Sequence, residues 1–136
     1  MLTNNCTINL TSNLTGTGLF NTGTTISTFS GAYNCSFGSM SMSSNASLTL
    51  VSGQTYTVTG TFTASGTSGS HITLKSSTAT SAAFLKVGTS SIVSYVDTTD
   101  IDSSGGNGVL DNHGTLVRTV NWLVPIPSPF PTYFRV

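Results

Sequence analysis

The chain reads as all-β, built as a short coil of stacked strands, on three observations. Apolar residues alternate with Ser or Thr through the first half, turn signals recur at short intervals, and no window carries a helical period or a capping box leading into an apolar run. The alternation starts at Ile8 and Leu10, resumes at Met40 and Met42 and at Leu48 and Leu50, and is clearest at Tyr56, Val58, Phe62 and Ala64. Between Thr55 and Thr63 every odd position is Thr, the residue type that suits a half-solvated strand face and offers hydroxyls for cross-strand hydrogen bonds. Turn signals fall at Thr15 to Gly18, Ser30-Gly31, Ser52-Gly53, Gly66 to Ser70, Gly88-Thr89 and Ser103 to Gly108. An antiparallel β-sandwich and a parallel coil of rungs both satisfy this pattern. The recurrence of similar blocks favours the coil, with rungs of uneven length predicted to start at Cys6, Cys35, Gln54 and Ala83.

Composition bounds the chemistry. Four Lys/Arg stand against four Asp and no Glu, while Ser and Thr make up about a third of the chain. Catalysis needs titratable groups held together in shifted environments, and nucleic-acid binding needs a basic footprint; neither is in supply, so no enzyme and no nucleic-acid partner are expected. A net charge of 0 removes colloidal repulsion and points to association. The length of 136 residues suits one domain, placed at 1–122, followed by an arm at 123–136. No stretch approaches the roughly 20 apolar residues that span a bilayer, and MLTNNCTINL lacks the features of a secretory signal. Synthesis and assembly in a cytoplasm are therefore expected, in a chain whose composition looks extracellular.

Cys6 and Cys35 sit in matching contexts, Asn5-Cys6-Thr7 and Asn34-Cys35-Ser36, which predicts two small buried residues stacked on successive rungs rather than a disulfide. Asn-X-Ser/Thr triplets at Asn5, Asn9, Asn13, Asn34 and Asn45 match glycosylation acceptors, in numbers only slightly above chance for this composition.

The stretch from His71 to Asn107, HITLKSSTATSAAFLKVGTSSIVSYVDTTDIDSSGGN, followed by Asn121-Trp122, carries the most specific text. It resembles a rung module of repetitive β-helix-like surface proteins of bacteria and of bacteriophage virions, in its ITLKSS strand, VSYVD strand, DIDSSGGN turn and terminal Asn-Trp. The resemblance implies a right-handed parallel β-helix or a close relative, with a structural role. One departure stands out: that module stops soon after its Trp, whereas here Trp122 runs into LVPIPSPFPTYFRV.

In that arm Pro125, Pro127, Pro129 and Pro131 remove alternate backbone donors and force an extended, polyproline-like path. Ile126, Phe130, Tyr133, Phe134 and Val136 stand among and after them, so the arm is predicted to dock on a neighbouring subunit or partner, or to fold back over the end of its own coil.

All four carboxylates lie between Asp97 and Asp111. Asp100, Asp102, Ser104 and Asp111 occupy positions 1, 3, 5 and 12 of a calcium loop with Gly105 at position 6. The match is partial, since Asp111 replaces the long bidentate Glu and no helices flank it, and Asp-Ser-Gly clusters are also ordinary turn formers. No cofactor is expected beyond this candidate calcium. Asp97, Asp100 and Asp102, with Tyr95 and Trp122, are the residues a carbohydrate-cleaving reading would use. His71 and His113 lack a second ligand at metal spacing, and Lys75, Lys86, Arg118 and Arg135 are scattered.

The expectation from these residues is a virion structural protein, foremost a capsid decoration (cement) subunit on the virion surface. Its expected partners are its own copies, as a homo-oligomer with a trimer foremost, and the major capsid protein, without nucleic acid or membrane. An extracellular adhesin or filament subunit assembling through the arm is the alternative, and a tail fibre or spike module the third.

Overall fold

The computed structural model describes residues 6–125. Within them the chain winds through three sheets in turn, and each strand pairs in parallel with the segment on the same side of the next rung. The first rung is β1 (Cys6–Asn9), β2 (Leu14–Thr15) and β3 (Leu19–Asn21); the second is β4 (Ile26–Ser30), β5 (Cys35–Phe37) and β6 (Ser39–Ser43). The third is β7 (Ser47–Leu50), β8 (Thr55–Val58) and β9 (Thr61–Ser65), and the fourth β10 (Ile72–Ser76), β11 (Ala83–Val87) and β12 (Ser90–Ser94). The fifth is β13 (Val96–Thr99), β14 (Ile101–Asp102) and β15 (Val109–Asn112). The last has β16 (Leu116–Val117) and β17 (Trp122–Leu123), with Val120 bridged to Asp102 on the side between them. The fold is thus the parallel β-helix-like coil; the antiparallel sandwich is excluded by parallel pairing in all three sheets.

Alternation sends one set of side chains inward on all three sides. Tyr56, Val58, Phe62, Ala64, Leu48, Leu74 and Leu85 are fully buried, and the Thr residues between Thr55 and Thr63 line the outer face. At the N-terminal end Phe20, Phe29, Phe37 and Tyr56 pack ring against ring, with centroids 5.0–6.3 Å apart. Tyr56 satisfies its hydroxyl by accepting the Val51 amide at 3.0 Å.

Rung length explains which sequence landmarks survive. Hydrogen bonds between stacked neighbours link residues 21 apart over the first three rungs. They link residues 26 and 29 apart where the loops carrying the Thr67–Ser70 and Thr78–Ser81 bridges bulge out, and 18 apart near the end. The predicted starts at Cys35, Gln54 and Ala83 fall at or one residue before the beginnings of successive strands of the second sheet, β5, β8 and β11. Cys6 does not belong with them. It lies on the first sheet opposite Ser27, whereas Cys35 lies on the second between Leu14 and Tyr56. The predicted stack of the two cysteines is therefore wrong: their separation spans one rung and one further side. Both thiols are free, and burial pushes that of Cys35 up to about 11.

The corner between the second and third sheets shows why glycine recurs. Gly38, Gly60 and Gly88 stack there, and a Cβ on Gly60 would lie 2.5 Å from the Gly38 carbonyl oxygen, one on Gly88 2.8 Å from that of Thr59. Gly60→Ala is expected to cost about 1–3 kcal/mol through this overpacking, whereas Gly69→Ala, in open space, should leave the melting temperature unchanged. Equal melting of the two variants would show that the rungs do not approach this closely.

Candidate functional site

The chemically distinctive residues gather on the last three rungs. There the corners tighten to single residues with left-handed backbone: Tyr95, Asp100, His113, Arg118 and Asn121 have φ between 49° and 75°. For Tyr, His and Arg this conformation is unfavourable by roughly 1–2 kcal/mol, and each is held by the residue at the same corner of a neighbouring rung. Tyr95 and His113 stack face to face with centroids 4.9 Å apart, and His71 lies against the other side of Tyr95 at 5.3 Å. Asp100 accepts two hydrogen bonds from Arg118, from Nε at 2.5 Å and Nη2 at 2.7 Å, and a third from the Thr80 amide at 3.1 Å. Asn121 donates to the Ser103 and Gly106 carbonyls.

Near the aromatic column sit two carboxylates in opposite states. Asp97 accepts from His71 Nδ1 at 3.0 Å and from the Thr115 amide at 3.0 Å. Burial pushes its carboxyl up, but these hydrogen bonds outweigh it, and the net shift is below the usual carboxylate range. Asp111 points into the coil from β15, fully buried, and among the described residues neither of its oxygens has a hydrogen-bond partner. The Val96 amide approaches without reaching hydrogen-bond geometry; burial dominates, the Asp97 charge adds to it, and the carboxyl is pushed up to about 6. Gly114 lies so close that a Cβ there would strike both Asp111 and the Val96 carbonyl.

The sequence-predicted calcium ligands are not brought together. Asp100 is committed to Arg118 at one corner, and its carboxyl is held down first by that guanidinium. Asp102 accepts its own turn's Ser104 amide at 2.8 Å, Ser104 is exposed, and Asp111 faces the interior of the third sheet. Among the described residues no group of three or more His, Cys, Asp or Glu side chains is placed to hold a metal ion. The tetrad is better explained as two corner contacts and one sealed carboxylate than as a loop around an ion. Of the arm, Pro125 is exposed two residues after the end of β17, while Ile126, Pro127, Pro129, Phe130, Pro131, Tyr133, Phe134 and Val136 lie outside the described residues. Trp122 closes the coil: it is buried, its Nε1 donates to Ser103 Oγ at 2.8 Å, and its ring meets Phe62 edge-on at 6.2 Å.

Sequence reading missed an outward feature. On the third sheet the register places Leu110 on Leu123, and continuing it places Ile92 on Leu110, so the three form a column across the last rungs. They are exposed by 62% at Ile92, 54% at Leu110 and 58% at Leu123. Below Ile92 the same column continues as Thr63, Ser41 and Asn21. The period-two signal was present in Val109-Leu110-Asp111, but with the inward residue charged and the outward one apolar it pointed the wrong way.

The surface clefts are grooves on the outer faces. One of about 460 Å³ runs beside Thr28, Thr49, Lys75 and Thr99, and another of about 280 Å³ beside Thr15, Ser36, Thr57 and Lys86. At the corner above the second groove, the Asn34 amide donates to the Asn13 side chain at 3.0 Å and the Thr55 amide to that of Asn34 at 2.8 Å, so these two sequon asparagines serve as rung-to-rung ties.

Comparison with protein-family models, with curated proteins and with solved structures finds no match to this chain.

Proposed function

We propose that this chain is a structural module of a larger assembly that works by contact, foremost a decoration subunit of a bacteriophage shell. The observation that carries this is the fate of its carboxylates. Asp97 is tied to His71, Asp100 to Arg118, Asp102 to its own turn and Asp111 is sealed inside, so each is engaged or enclosed by the coil, which supports a role through contact. What the molecule offers outward is a neutral hydroxyl surface and an exposed apolar column. A stiff coil with such a surface stabilises whatever assembled state it binds, by binding that state alone. The rung-module resemblance and the low charge support the virion reading.

The test is to identify a capsid protein among the products of the neighbouring genes, add the purified chain to shells assembled from it, and measure retention on the shell and the temperature at which shells rupture; neighbours that encode no capsid protein would count against the reading. Retention with a raised rupture temperature is expected. Recovery of the chain as a solitary molecule that turns over a substrate would defeat the reading. The filament alternative is favoured by exposed Leu14 and Leu19 on the first rung, which give both ends of the coil apolar surface. It predicts fibres of the purified chain by electron microscopy.

A further inference from the structure

We infer that the apolar column Ile92–Leu110–Leu123 is the acceptor surface for the proline-rich segment 126–136 of a second copy of this chain. The inference rests on the reading of the protein as a module that works by contact, and it names the surface and the occupant.

The column is out of character for its sheet. Outward positions of β6 and β9 are Ser or Thr throughout, and the flanking positions of the upper rungs are Ser90, Ser94 and Asn112. On the first rung Leu19 is also apolar and outward, but only Ile92, Leu110 and Leu123 stack as outward apolar neighbours on this sheet, on the rungs nearest the root of the arm. No charged residue stands on the outward face of β9, β12, β15 or β17, so covering it strips no ion of its water.

The occupant is set by chemistry and direction. Segment 126–136 carries Ile126, Phe130, Tyr133, Phe134 and Val136, and Arg135 as its one charged side chain. A polyproline-like strand needs no ladder partners, is already ordered before it binds, and suits an apolar strip that has no free backbone groups to offer. At about 3.1 Å per residue such a segment reaches roughly 30 Å, against a column only about 10 Å tall at the usual spacing between strands. The column, however, runs across the strands, while Leu123, Val124 and Pro125 leave along one. To cover its own column the chain would have to reverse within Val124-Pro125-Ile126-Pro127. There, each residue before a proline is biased to extended backbone, and the alternate prolines beyond stiffen the rest of the arm. This cost of reversal disfavours the column of the same chain and favours that of another copy. Each copy then donates one arm and offers one column, a relation that gives a ring where the rotation between copies closes and a filament where it does not.

The experiment uses the full chain with Leu110 replaced by the photo-crosslinking residue p-benzoylphenylalanine, prepared from isotopically heavy and light chains unfolded and refolded together. Illumination is expected to join position 110 to peptides from 126–136, with about half of the products heavy-to-light, the fraction for random pairing. In parallel, the Ile92→Asp/Leu110→Asp double variant and a Phe130→Ser/Phe134→Ser variant should each lose oligomer mass by light scattering while keeping the parent melting temperature. Crosslinks confined to single-isotope pairs would show the arm folding back on its own coil and overturn the proposal. So would crosslinks to other segments, or undiminished mass in both variants. If the double variant fails to fold, the crosslinking and the arm variant still decide. Shell binding without arm crosslinks would refute this inference alone, and arm exchange without shell binding would refute only the functional reading.

Discussion

Asp111→Asn is expected to raise the melting temperature at pH 7 and to flatten its dependence on pH. The native carboxyl is fully buried without a hydrogen-bond partner among the described residues, and it titrates near 6 instead of the usual 3.8. As pH rises past about 4 the unfolded chain releases this proton while the folded chain keeps it. Stability therefore falls between pH 4 and 6 and stays at the lower level above. At 1.36 kcal/mol per pKa unit the loss is about 2–3 kcal/mol. Asp97 and Asp100 act the other way and in a lower window: their carboxyls are depressed, so the stability they contribute is lost only as pH falls below the ordinary carboxylate range. The two windows meet near the ordinary carboxylate value, so the wild-type maximum is expected near pH 4, on the acid side of the usual range. His71 and His113 are the other charged neighbours of Asp111, and both lower its carboxyl. An asparagine keeps the shape, carries no charge, and can donate to the Val96 carbonyl beside it. Thermal melts of both proteins from pH 4 to 8 check this. A wild-type curve that rises through pH 4–6, or a variant that melts lower at pH 7, would mean that Asp111 is partnered in solution.

Much of the coil was legible because its commonest rule is local. Tyr56, Val58, Phe62 and Ala64 alternate with Thr, the period of two translates directly into an inside and an outside, and all four are fully buried. The glycines at Ser30-Gly31, Ser52-Gly53 and Gly88-Thr89 fall in connections for the same local reason. What could not be read is what depends on stacking across rungs. The left-handed corners at Tyr95, His113 and Arg118 contradict the preference of those residues and exist only because a partner stands one rung away. A constant rung would have revealed them as a repeat, but loops that lengthen the fourth rung hide the period; Cys6 and Cys35 look equivalent only through their matching neighbours, although the rungs they lie on repeat at 21 residues and not 29. The candidate calcium ligands are set apart for a different reason. Linear spacing of oxygen ligands ignores that residues 100, 102 and 111 lie on a corner, a second-sheet strand and a third-sheet strand of one rung, facing different ways.

Trp122→Ala is expected to be the most damaging single substitution at the C-terminal end, costing about 3–5 kcal/mol. The last rung is short: β16 and β17 have two residues each, and Val120 contributes a single bridge, so backbone pairing alone holds it weakly. Trp122 compensates by projecting inward from the edge strand. Its register partner is Val109 on the rung below, yet its ring reaches Phe62 on the third rung, so one side chain fastens the end of the coil to the middle of the core. Truncation removes that contact, opens a cavity and leaves the buried Ser103 hydroxyl without its indole partner. Because repeat coils are held rung to rung, the damage should propagate from the end rather than melt the whole molecule evenly. Hydrogen exchange distinguishes the two. Amides of Val109, Val120 and Ser103, which bond across the last rungs, should exchange much faster in the variant, while those of Gly60 and Thr59 stay protected. Uniform acceleration from the first rung to the last would indicate that the coil unfolds as one unit. Phe62 would then matter as part of a common core, and not as the anchor of the closing tryptophan.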